Sequence, residues 1–131
     1  MKKRGILQHE LSDLIARMGH MDTLVIADAG LPIPQGVQRI DLAVTAGVPS
    51  FRQVLLPLLE DLVIESVFIA SEQNEISPVF HEELKAVLGT IPIRAVPHVE
   101  FKQMTEKARA VVRTGEFTPY ANMIIVAGVA F

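Results

Sequence analysis

The residues with proton chemistry are unevenly spread along this 131-residue chain. His20 and Asp28 bracket Leu24 to Ala27, a short unbroken apolar run. An imidazole exchanges protons near neutral pH. A carboxylate that follows four apolar residues is partly desolvated, which raises its pKa unless donors surround it. His98 stands at the edge of a second apolar stretch, and Tyr120 and Asn122 flank Ala121 in a turn with Pro119. Asparagine offers both a donor and an acceptor, which is what a ligand hydroxyl requires of its partner. Each residue has a plainer reading too. His20 and His98 could cap a helix or bond a loop, Asp28 could close a turn on its own backbone, and Pro119 to Asn122 could be a turn with a packed ring. The other two histidines read as surface residues. His9 lies near a helix start, and His81 stands mid-helix beside Glu82 and Glu83.

The elements that must position these groups follow from apolar spacing. His9 to Met18 carries Leu11, Leu14, Ile15 and Met18 at one-face helical spacing, with Gly19 after the last turn. Leu24 to Ala27 suits a strand buried on both faces. Asp28 then leads into Ala29-Gly30-Leu31-Pro32-Ile33-Pro34, where a glycine and two prolines make a stiff turn. Val37 to Leu42 reads as a second strand and Thr45 to Pro49 as a loop. Ser50 with Gln53 is a capping box opening a helix through Leu62, with a kink expected at Pro57. Val67 to Ala70 is a strand, and Ser71 to Glu75 a polar link. Ser77-Pro78 starts a helix that stops at Gly89. Ile93 to Pro97 is a strand ending at His98, and Glu100 to Lys107 a short helix. Ala110 to Thr114 and Met123 to Ala127 are the last strands. Strands alternating with helices predict an α/β fold, a single domain over 1–131 with a mostly parallel central sheet flanked by helices. In such sheets ligands bind outside the carboxyl ends of the strands.

Composition narrows the function. Half the residues are hydrophobic and 21% are charged, which excludes disorder. Oligomer interfaces would explain so much apolar content in a small domain, and the apolar stretch Ile124 to Phe131 reads either as part of such an interface or as an ordinary core strand within one subunit. A net charge of −3 argues against nucleic acid. There is no cysteine, hence no disulfide or thiolate chemistry. The basic start, Met1 to Gly5, leads only into Ile6-Leu7, too little for the apolar core of a signal peptide. No run approaches the ~20 apolar residues of a membrane span. The expectation is a soluble cytoplasmic protein.

Cofactor chemistry finds little support. Two histidines with Asp28 would suffice for a catalytic zinc, but no pair has the His-x-x-x-His spacing of helical ligands. Neither a Walker A pattern nor Gly-x-Gly-x-x-Gly after a strand is present. No metal or cofactor is expected.

Three blocks carry a resemblance to a known family. They are Gly19 to Pro34, Pro97 to Lys102, and Val112-Arg113-Thr114-Gly115-Glu116-Phe117-Thr118-Pro119-Tyr120-Ala121-Asn122. Together they resemble the D-ribose pyranase family, bacterial sugar-ring isomerases, over nearly the whole chain. The resemblance implies that His20, in Gly-His-x-Asp, is the general acid/base. It implies that Asp28, His98, Tyr120, Ala121 and Asn122 contact the sugar. It also implies a site at a subunit interface, in a decamer of two pentamers. The fucose mutarotase branch is related, but its proline turn and the residue between Tyr and Asn usually differ.

The expected function is therefore conversion of β-D-ribopyranose to β-D-ribofuranose by general acid/base catalysis, with D-ribose or a similar monosaccharide as partner. Asp28 either orients His20 or holds a sugar hydroxyl, and the sequence leaves that choice open. The alternatives are a mutarotase acting on fucose or another sugar, a non-catalytic sugar-binding module, and, more remotely, a metal-dependent enzyme.

Overall fold

The strands Thr23–Ala27 (β1), Gln38–Asp41 (β2), Ile64–Ala70 (β3), Ile93–Val96 (β4), Ala110–Arg113 (β5) and Met123–Ala127 (β6) form one sheet in the order β2-β5-β1-β6-β3-β4. They are described, with all of residues 1–131, by a computed structural model. β1, β2 and β5 pair in parallel, as do β3 and β4. β6 runs antiparallel between β1 and β3. Five strands thus share one direction, and the sheet is mostly parallel, as expected of alternating helices and strands. The three parallel pairs place the carboxyl ends of β1 to β5 along one edge, where the start of β6 joins them.

Burial explains this order. β1 and β6 lie at the centre, and Leu24 to Ala27 and all of Met123–Ala127 are buried. One face packs Leu24, Ile26, Val112, Met123 and Ile125 against Leu11 and Leu14 of α1 (His9–Arg17) and Val54, Leu55 and Leu58 of α2 (Phe51–Asp61). The other packs Val25, Ala27, Val111 and Ile124 against Phe101 of α5 (His98–Thr105) and Leu31 of the proline turn. Unbroken apolar runs are what a strand covered on both faces requires.

Most elements lie where their sequence spacing puts them. Ser50 and Gln53 make the capping box reciprocally, at 3.2 and 2.9 Å. The helix they open continues through Pro57 to Asp61. Three expectations need correction. The polar link after β3 contains a helix, α3 (Glu72–Ile76). Ser77 does not cap the following helix, α4 (Pro78–Leu88), with its side chain. Its hydroxyl donates instead to the Pro119 carbonyl, at 2.7 Å. α5 also starts earlier than Glu100, at His98 itself. The carboxylate of Glu72 accepts the His98 backbone N–H at 3.1 Å, satisfying one of that helix's free donors. No helix is long and apolar enough to cross a membrane.

Candidate active site

Asp28, His98, Tyr120, Ala121 and Asn122 come together at the carboxyl edge of the sheet. Asp28 follows β1, His98 follows β4, and the turn ending in Asn122 precedes β6. The Asp28 carboxylate is held by two donors. Gly30 N–H reaches Oδ1 at 2.9 Å, and the Asn122 amide reaches Oδ2 at 3.0 Å. Asn122 also accepts the Asp28 backbone N–H at 2.8 Å. Both ends of this buried amide are therefore engaged with Asp28, although its nitrogen keeps a second hydrogen.

Tyr120 has φ +61, a conformation that disfavours any side chain by roughly 1–2 kcal/mol. It is the third residue of a β-turn closed by Ala121 N–H to Thr118 C=O at 3.2 Å. Proline second and a positive φ third is the pattern of a type II turn, in which glycine normally takes the third place. Here the strain falls on the ring that meets His98 edge-on, with centroids 5.0 Å apart. Strain of this kind clusters at functional sites.

His98 is sandwiched between Tyr120 and Phe101, on which it stacks at 6.0 Å. Its Nδ1 is buried with no partner, an unmet hydrogen-bonding group of the sort that a ligand hydroxyl satisfies. Burial pushes its pKa below the usual histidine value, helped by Lys102 and opposed by Glu72 and Asp28. The ring is accordingly neutral at pH 7, with one nitrogen donating and one accepting. Beside Asp28 opens a cleft of about 410 Å³, lined also by Arg113, Glu116, Phe117 and Thr118.

His20 lies elsewhere. It precedes β1 where Asp28 follows it, so the length of the strand separates them, on the order of 20 Å at ~3.3 Å per residue. Within one chain Asp28 cannot orient His20. The imidazole instead meets Glu65, with Nε2 and Oε1 3.1 Å apart, both half exposed. Its turn is well anchored. Asp22 accepts the Gly19 N–H at 2.9 Å and pairs with Arg109 at 2.9 Å. These two partners hold the Asp22 carboxyl below its ordinary pKa. Met21 N–H donates to Ala127 C=O.

Several residues of the site gave no signal in the sequence. Glu72 and Gln73 fall in a polar stretch that reads as a link, and Ser77 reads as a helix cap. Glu116 ties the turn together, accepting from the Thr118 hydroxyl at 3.0 Å and the Phe51 N–H at 3.1 Å. His81 is half-buried rather than solvated, and its Nδ1 is 3.1 Å from Gln73 Oε1. No group of three or more His, Cys, Asp or Glu side chains is placed to hold a metal ion.

A sequence model of the RbsD / FucU transport protein family matches residues 1–130. The chain belongs to the RbsD / FucU family. It is 52% identical over 131 residues to a protein of Coprothermobacter proteolyticus named D-ribose pyranase, covering all of both chains. It is 50% identical to the D-ribose pyranase of Geobacillus kaustophilus, over all of this chain and 96% of that one. Among solved structures it is similar to Bacillus subtilis RbsD complexed with D-ribose, with a TM-score of 0.97, 45% identity and full coverage of both chains. A fucose mutarotase from Streptococcus pneumoniae, solved with L-fucose, is more distant. It has a TM-score of 0.73 and 26% identity, covering 96% of this chain and 95% of that one. Within the RbsD / FucU family the chain thus stands nearer to these ribose proteins than to that fucose enzyme.

Proposed function

We propose that this protein is a D-ribose pyranase, interconverting β-D-ribopyranose and β-D-ribofuranose. The full-length likeness to the ribose-bound RbsD carries this reading. The site is suited to it, because a strained tyrosine, a fixed carboxylate and a neutral histidine with a free buried nitrogen offer a sugar donors, acceptors and an apolar ring.

The reaction moves protons only. The anomeric hydroxyl gives up its proton, the bond from C1 to the ring oxygen breaks as that oxygen gains a proton, and C1 is left as an aldehyde. The C4 hydroxyl oxygen then adds to C1 and releases its proton, while the aldehyde oxygen takes one up. General acid/base groups contribute roughly 10²–10⁴-fold to such steps. His20 is the acid/base. Asp28 and His98 hold hydroxyls, Tyr120 and Ala121 shape the wall, and Asn122 holds Asp28 and offers its second N–H.

His20 reaches this site only from another copy. Exposed apolar side chains support that arrangement at both ends of the sheet. Met21, Val63, Val129 and Phe131 surround the His20 end, and Val44, Val48 and Phe117 lie at the Asp28 end. Joining unlike ends makes a head-to-tail contact, which forms a ring where the rotation between copies closes. A decamer of two pentamers and a cytoplasmic location complete the reading.

Exchange NMR on D-ribose, with and without the protein and with a chelator present, tests it. Faster pyranose–furanose exchange is expected. Ribose binding without faster exchange would make the protein a sugar-binding module. Acceleration of fucose anomer exchange alone would make it a mutarotase. Acceleration abolished by the chelator would require a metal.

A further inference from the structure

We infer that Gln73 is the positioning residue of the sugar-facing turn, and that His81 fixes the orientation of the Gln73 amide. The inference rests on the ribose reading of the site for its kinetic consequence, but not for its structural one.

Gln73 is fully buried, at 0% exposure, in a short helix whose other residues are mostly open to solvent. Burying an amide is unfavourable unless its donors and acceptor are all met. Its Nε2 donates to the Tyr120 carbonyl at 2.9 Å and lies 3.5 Å from the Asn122 carbonyl. Two carbonyl oxygens can be faced only by the NH₂ end, so Oε1 must point away and accept. It accepts from His81 Nδ1 at 3.1 Å. That fixes His81 with its proton on Nδ1, in the neutral and the charged form alike. A flipped Gln73 would set oxygen against two oxygens and nitrogen against the N–H of His81.

The consequence falls on the two residues at either side of the sugar position. Tyr120 is held at positive φ, and its carbonyl also accepts the Asn122 N–H at 2.8 Å. Asn122 in turn clamps Asp28. One buried amide therefore fixes both the ring that packs on His98 and the clamp on the carboxylate. Ser77 adds a second tie to the same turn, at Pro119.

The chain has one tyrosine and no tryptophan, so its intrinsic emission reports on Tyr120 alone. Gln73→Met keeps the volume and removes the amide. Assembled protein carrying it should show altered tyrosine emission without any sugar. It should also show a roughly tenfold higher ribose concentration for half-maximal exchange, with a smaller change in the maximal rate. Gln73→Glu should behave likewise above neutral pH, where a carboxylate cannot donate, and recover on acidification as protonation restores the donor. Wild-type emission and wild-type half-saturation in a folded Gln73→Met overturn the inference. If that variant does not fold, lack of any acid recovery in Gln73→Glu, or wild-type emission in His81→Leu, overturns it instead. Wild-type protein that fails to accelerate ribose exchange would remove the ribose reading, and the sugar-free emission would still decide the role of Gln73.

Discussion

Asn122 holds Asp28 at two points, accepting its backbone N–H at 2.8 Å and donating to its carboxylate at 3.0 Å. The two residues are 94 apart in sequence. The pairing ties the carboxyl end of β1 to the start of β6, and it fixes the direction in which the carboxylate faces. Asn122→Asp would place a second carboxylate against the first. Asn122→Ala would leave the part-buried Asp28 N–H without its acceptor, which costs up to about 1–3 kcal/mol. Titration of either variant with ribose should show at least a tenfold loss of affinity, and Asn122→Asp should recover partly at acid pH. Unchanged affinity in both would show that Asp28 needs no clamp.

A site shared between copies predicts complementation. His20→Ala and Asp28→Ala should each be inactive alone. When the two are mixed, unfolded and refolded together, about a quarter of the sites should combine an intact His20 with an intact Asp28. Ribose exchange should therefore return in the mixture. A mixture as inactive as its components would remove one of the two residues from a shared site.

Gly115 sits where a side chain has no room. A Cβ there would lie 2.5 Å from the Val48 carbonyl oxygen and 2.6 Å from the Thr45 carbonyl oxygen and the Val48 nitrogen, all of them backbone atoms. Gly115→Ala should destabilise the protein by roughly 1–3 kcal/mol. It should also weaken ribose binding, because the displaced loop carries Glu116, Phe117 and Thr118 along the cleft. Thermal unfolding would detect the first effect, and a melting temperature equal to wild type would refute it.

His98 has a lowered pKa, so it stays neutral at pH values where an unfolded histidine has begun to protonate. Between those two pKa values the unfolded chain binds more protons than the folded one, and stability rises with pH. The contribution is complete above about pH 6.5 and is lost as pH falls toward the folded-state pKa. Ribose affinity should follow the same course, level from pH 8 to about 6.5 and declining only in more acid solution. His98→Gln should bind more weakly and lose that acid decline. An affinity that already falls between pH 8 and 7 would contradict a neutral, desolvated His98.

Much of this protein was legible in its sequence, for a physical reason. Strands covered on both faces must be apolar throughout, so Leu24–Ala27 and Met123–Ala127 announced the two central strands. Ser50 and Gln53 announced the start of α2, because capping is settled within four residues. The placement of His20 before β1 and of Asp28 after it was equally local. What was not local could not be read. The polar run from Ser71 to Glu75 looks like any solvated link, yet it buries Gln73, and Ser77 looks like a helix cap, yet its hydroxyl turns to Pro119. His81 beside two glutamates looks solvated, yet it orients that glutamine. Those roles depend on partners about 40 to 50 residues away for Ser77 and Gln73. Hydrogen bonds across such distances leave no periodicity in the chain. The sequence alone determined the strands, the caps and the chemistry on offer. Only the tertiary structure decided which of those groups meet, because the crossover order β2-β5-β1-β6-β3-β4 gathers five strand ends along one edge and leaves His20 at the other.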